Sequence, residues 1–159
     1  MSHVSQNISE PNNIDRYMNG ECHVFATALH RELGFSYLIL VDESELYGDF
    51  IPATNHVYAV DGEGNAYDAT GRHDVEEVIE GWFDNNVRYQ PNIDEIDSEY
   101  DLQKYIEKTA DGFQKPLSSY DDNDVSIALD LARDVLRDLL VFPSQGAPAS
   151  EVSEVFPSV

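Results

Sequence analysis

The only cysteine of the chain, Cys22, stands in the segment Asn19-Gly20-Glu21-Cys22-His23-Val24-Phe25-Ala26-Thr27-Ala28-Leu29-His30, whose spacing predicts the first turn of an amphipathic helix. Unpaired backbone N–H groups and the positive end of the helix dipole favour a thiolate at such a position and lower the thiol pKa from its free value of roughly 8.5. Downstream, His56 opens a predicted strand and Asp68 lies on the next one. A sulfur nucleophile, an imidazole that takes its proton and an acid that orients the imidazole are the groups needed to attack an amide or ester carbonyl. The oxyanion that forms needs N–H donors. The backbone amide of Cys22 is one candidate, and the side chain of Asn19, three positions ahead, is a second.

These residues can act together only if the intervening elements converge. A helix from about Glu21 to Leu33 places Cys22, Phe25, Leu29 and Leu33 on one stripe, and Gly34 stops it. Ser36 to Val41 is a short apolar run of β-favouring residues, expected to be an interior strand, and an acidic loop follows from Asp42 to about Phe50. Asn55 to Val60 and Ala66 to Gly71 flank Asp61-Gly62-Glu63-Gly64-Asn65, which marks a β-hairpin. A three-residue turn sets His56 opposite Asp68; a five-residue turn sets Asp68 opposite Tyr58 and diagonal to His56. Both keep imidazole and carboxylate on one face, because positions 56, 58 and 68 share parity. A slip of one residue separates them.

Beyond the hairpin, Asp74 with Glu77 three residues on predicts a capped helix through Trp82 or Phe83. Val87 to Tyr89 is read as a strand ended by Pro91, and Ser98 caps a helix through Leu102, Tyr105 and Ile106 to Gly112. The longest helix begins at Asp121 to Asp124 and carries the stripe Val125, Ala128, Leu129, Ala132, Val135, Leu136 and Leu139. The organisation expected is a loosely held polar arm over residues 1–18, a single globular domain over 19–141 and a Pro/Ser-rich tail over 142–159, in which Val-Phe-Pro-Ser occurs at 141–144 and again at 155–158.

Nine tyrosines, seven phenylalanines and one tryptophan in 159 residues can fill a core of one domain. Against 31 Asp and Glu there are only 9 Lys and Arg, a formal charge of −22. A surface this negative repels nucleic-acid phosphates and anionic membranes, so direct nucleic-acid binding and membrane binding are not expected, and a basic or neutral protein or peptide partner is. A lone cysteine makes no internal disulfide, Met1 to Glu10 lacks the basic and apolar regions of a secretion signal, and no apolar run reaches the ~20 residues of a membrane span. The expected compartment is the cytoplasm, that of an infected host if the chain is viral. No cofactor or metal is expected: one cysteine without paired ligand spacing is a poor zinc site, and the acidic clusters around Asp42 and Asp121 lack the pattern of a calcium loop. His23, turned about 100° from Cys22 on a helix, is read as a surface residue, as are His30 and His73.

The order helix with N-terminal cysteine, strand, strand with histidine, turn, strand with aspartate resembles the core of the papain-like and transglutaminase-like cysteine enzymes over about residues 19–72. Gly20-Glu21-Cys22-His23 followed by Ala26 and Leu29, Asn55-His56-Val57, and Tyr67-Asp68-Ala69-Thr70-Gly71 look like a compact bacterial or phage branch of that superfamily. The resemblance implies an α+β fold, with the cysteine-bearing helix packed on a small antiparallel sheet and further helices toward the C-terminus. It also implies acyl transfer through a thioester, with Cys22 as nucleophile, His56 as base and Asp68 orienting His56: a hydrolase or transferase of the thiol protease, amidase or deamidase kind. The alternative is an acidic binding or inhibitor protein without catalysis, which imitates nucleic acid or blocks a basic partner. Oligomeric state is not legible in the sequence.

Overall fold

The computed structural model describes residues 14–18, 20–43, 53–86, 90–108 and 114–143. Asn19, most of the acidic loop after Asp42, the expected strand at Val87 to Tyr89 and residues 144–159 lie outside them. The chain is α+β. A short helical segment over residues 14–18, α1, precedes the cysteine-bearing helix α2 (Cys22–Leu33), which is followed by β1 (Ser36–Asp42), β2 (Ala53–Val60), β3 (Asn65–Asp68) and β4 (Gly71–Asp74). Then come α3 (Val75–Asn85), β5 (Pro91–Ile96), α4 (Glu99–Lys108) and α5 (Asp122–Val135). The strands form one antiparallel sheet in the order β4-β3-β2-β1-β5.

Helix α2 is the centre of the molecule. Eight successive residues, Cys22 to Leu29, are buried, so its first two turns are covered on all sides and not along a single stripe. A helix apolar all round is one packed between two partners. Here they are the sheet, through Tyr37, Ile39, Val41, Val57, Ala59 and Tyr67, and α5, whose buried Val125, Ala128 and Ala132 bring small side chains against it. Each fully buried large side chain, such as Phe25 or Leu29, contributes about 1.5–3 kcal/mol through the apolar surface it removes from water. Arg31 then ties α2 to α4 and α5, bonding Glu99 through two nitrogens at 2.8 and 2.9 Å and Asp122 at 3.3 Å.

Several expectations are corrected. Of the arm expected to be loosely held, residues 14–18 are helical and the Tyr17 side chain is fully buried against Phe25, with ring centroids 5.8 Å apart. A strand the sequence did not announce, β5, begins at Pro91. Proline lacks the N–H that a ladder uses, so it is tolerated at the first residue of an edge strand, and β5 is such an edge. A fourth strand not foreseen, β4, returns from Asp68 through the two-residue turn Ala69-Thr70, with Asp68 paired to Gly71 and Ala66 to His73. The caps match their sequence signals: Asp74 accepts from the Glu77 N–H, Ser98 from that of Asp101, and Asp121 and Asp124 form a reciprocal capping box.

Two features of β2 and β3 position the candidate triad. Val60 pairs with Ala66 and Ala59 with Tyr67, so the hairpin has the five-residue turn, and continuing the register sets Asp68 across from Tyr58 and diagonal to His56. On its other side β2 pairs with β1, with Leu40 opposite His56 and Val41 opposite Thr54, which leaves Asn55 as the extra residue of a β-bulge. Bulges raise local twist and re-aim the side chains beside them. This one directly precedes His56, which lies in mid-strand and not at the strand's start.

Candidate active site

Cys22 is the first residue of α2, and the turn into it is built for an open helix end. Gly20 takes φ 119°, a left-handed conformation that side chains resist, and reverses the chain between α1 and α2. Glu21, the residue before the helix, makes no side-chain cap; its carboxylate is turned back to Arg16 at 2.6 Å. Glu21 therefore puts no carboxylate over the N–H groups of the first turn, and their partial positive charge acts on the sulfur. A further donor comes from the sheet, where the Val57 N–H points at the Cys22 Sγ at 3.3 Å.

His56 Nε2 donates to Asp68 Oδ2 at 2.9 Å. With Nε2 committed to the carboxylate, Nδ1 is the ring nitrogen left to exchange a proton with the thiol. Burial raises the thiol's pKa, but the rings of His23 and His56 outweigh it and hold the thiol at about 6. Burial likewise lowers the His56 pKa, while the bond to Asp68 and the negative sulfur raise it to about 10. Asp68, also penalised by burial, is held at about 2 by His56 and by Thr70, whose N–H and hydroxyl both donate to Oδ1, at 2.9 and 2.6 Å. The thiol is thus shifted down and the imidazole up, which favours a thiolate beside an imidazolium, oriented by an ionised aspartate.

Cys22, His56 and Asp68 are therefore brought together as the sequence suggested, while Asn19, the second oxyanion candidate, lies outside the described residues. The three are buried, at 2%, 7% and 3% exposure, so a reagent reaches the sulfur only when the side chains against it part. A cleft of about 550 Å³ between β5 and α4, lined by Ile96, Asp101, Lys104 and Tyr105 among others, contains none of the three.

Of the three histidines read as surface residues, His23 is buried, whereas His30 and His73 are partly exposed and carry polar contacts. His23 is fully buried; its Nε2 donates to the Lys115 carbonyl at 2.7 Å, its ring meets Tyr120 edge-on at 5.5 Å, and its Nδ1 makes no geometrically defined hydrogen bond among the described residues. The ring is directed toward the segment before α5 and not toward solvent, and it stays close enough to Cys22 to act on the sulfur. His30 is half-buried, stacked on Tyr37 and bonded to the Phe35 carbonyl. His73 lies 3.1 Å from Asp68 Oδ1 and 2.9 Å from the Thr70 hydroxyl. The missed signals were the uncharged, mostly apolar run from Val24 to Leu29, which covers every face of α2, and the Gly71 that opens a further strand.

Gly71 has φ 126°, where any side chain is strained, and it closes the turn that aims Thr70 and His73 at Asp68. Gly71→Ala is expected to cost about 1–3 kcal/mol, read as a lower midpoint of thermal unfolding. It should also weaken the Asp68 cluster, read as a rise in the thiol's titration midpoint. An unchanged unfolding midpoint would show that the turn carries no strain.

No family model matches the chain, and neither the curated proteins nor the solved structures yield a match. Among the described residues no helix is long and apolar enough to cross a membrane.

Proposed function

We propose that the chain is a cysteine-dependent hydrolase or acyl transferase that acts on an amide or isopeptide bond of a protein or peptide through a thioester on Cys22, with the organisation of a compact papain-like or transglutaminase-like enzyme. The observation that carries this reading is the placement of a lone thiol at the open end of α2, beside a His56 ring that Asp68 holds at 2.9 Å. In the reaction so read, the Cys22 sulfur attacks the carbonyl carbon and the carbonyl π pair moves to oxygen, where N–H groups of the first turn receive it. The tetrahedral adduct collapses, the C–N bond breaks, and the His56 imidazolium gives its proton to the departing amine. Water, or an amine in a transferase, then adds to the thioester while His56 takes its proton, and the sulfur leaves as thiolate. The charge of −22 favours a basic or neutral substrate, and a reducing compartment such as the cytoplasm preserves the free thiol.

The test is an acylation burst with a nitrophenyl ester as probe. The expected result is one equivalent of nitrophenolate released rapidly, with the acyl group recovered by mass spectrometry on the peptide containing Cys22 and removed by hydroxylamine. Cys22→Ala should show neither. Ester hydrolysis equal in the native chain and Cys22→Ala, with no adduct, would overturn the reading.

A further inference from the structure

We infer that His73 regulates the candidate site: it is the solvent-facing end of a His56–Asp68–His73 relay, and its charge sets how firmly Asp68 holds His56. The inference rests on the reading of His56 and Asp68 as base and orienting group, and it adds a positioning residue that this reading does not require.

The hydrogen-bond directions follow from the contacts. The Thr70 hydroxyl lies 2.6 Å from Asp68 Oδ1, and an ionised carboxylate can only accept, so the hydroxyl hydrogen is spent on that bond. Thr70 Oγ1 can then only accept from His73 Nε2, 2.9 Å away, and the same Nε2 is 3.1 Å from Asp68 Oδ1. Nε2 therefore carries a hydrogen shared between Thr70 and Asp68. The proton that His73 gains or loses is the one on Nδ1. The His73 side chain is 36% exposed and that of Asp68 3%, so water reaches the relay at this end.

One carboxylate thus serves two imidazoles, His56 on Oδ2 and His73 on Oδ1. A charged donor makes the shorter and stronger bond. When His73 gains its proton it draws the carboxylate's electron density toward Oδ1, Oδ2 becomes the poorer acceptor, and the two imidazolium rings repel each other across Asp68. Arg72 and Asp74 flank His73 on β4, and Glu76 and Glu77 follow in the first turn of α3. From β2, His56 faces it through Asp68, and the Tyr58 ring stands edge-on between the two imidazoles, at 4.6 Å from His56 and 5.8 Å from His73. Tyr58 carries no charge in the acid range, because burial pushes its phenol up to about 12.

The test is a pH titration by nuclear magnetic resonance of the imidazole groups in the full chain, native and His73→Gln. Glutamine keeps an N–H donor and cannot charge. In the native chain the hydrogen-bonded Nε2–H resonance of His56 is expected to move upfield as the His73 ring gains its proton, and His73→Gln is expected to abolish that movement. A His56 resonance that stays still while His73 titrates, or that moves identically in His73→Gln, overturns the inference. Should the variant not fold, Cys22→Ala decides: with no thiol to ionise beside His56, the His56 resonance must still move as His73 gains its proton, and one that stays still overturns the inference. The acylation burst is read separately: a normal burst with no coupling removes the regulatory role and leaves the enzyme, whereas coupling with no burst removes the enzyme and leaves the relay.

Discussion

In His56→Gln the Cys22 thiol is expected to titrate above pH 8 in place of about 6, read from the ultraviolet absorbance of the thiolate, which one cysteine makes unambiguous. The direction follows from the opposing influences on the sulfur. Burial works against the thiolate, and the rings of His23 and His56 work for it. Glutamine fills a similar volume and can still donate to Asp68, but it cannot become a cation, so burial is left opposed by His23 alone. At pH 7 the thiolate fraction then falls from about nine-tenths to a few per cent, a loss of more than tenfold. Alkylation by iodoacetamide slows by less, because the less acidic thiol is the stronger nucleophile once ionised. Its rate also includes the opening of the site, whereas the absorbance does not. A midpoint within half a unit of the native one would show that His56 is not what ionises the thiol, and the triad would lose its base.

Asp68→Ala is expected to destabilise the fold by about 3 kcal/mol or more, and to lower the midpoint of thermal unfolding by roughly 10 °C. The carboxylate accepts from His56 Nε2, from the Thr70 N–H and hydroxyl, and from His73 Nε2, so truncation leaves the buried His56 cation without its partner and removes the acceptor of Thr70 and His73. The effect has a defined pH window. Asp68 is depressed to about 2, so its contribution is complete above the unfolded value of roughly 3.9 and is lost as pH falls through about 2. His56 is raised to about 10, so its share is complete below roughly 6.5 and is lost as pH rises through about 10. The difference between native and variant should therefore be greatest from about pH 4 to about pH 6.5 and shrink on both sides, as denaturant unfolding at a series of pH values would show. A difference independent of pH would mean that Asp68 acts by packing and not by charge.

Local chemistry made much of this legible in the sequence. Asp74, Ser98 and Asp121 cap the helices their side chains announce, because an N-cap needs only an oxygen within reach of nearby N–H groups. Parity brought His56 and Asp68 to one face, because strand alternation holds in either register that the turn allowed. What depends on long-range packing was not legible. His23 is buried because α5 and the segment around Lys115 close over α2, a contact 92 residues away in sequence. His73 joins Asp68 because Ala69-Thr70 is a tight turn and not a loop, and its signal is a single glycine. The oxyanion assignment to Asn19 rested on how a loop curls, which residue spacing does not determine.

The bulge at Asn55 bears on how this arrangement could be found in other chains. Strict alternation along β2 would dispose successive side chains on opposite sides from Thr54 to Val60, and the extra residue breaks that count immediately before the imidazole. A sequence pattern written with a fixed two-residue periodicity through the histidine strand would pass over chains built this way. It would also accept unbulged ones, in which the ring emerges at a different angle to the helix end. Allowing one position of slack upstream of the histidine, and fixing the aspartate and the glycine three residues after it, describes the geometry more faithfully than the three reactive residues alone.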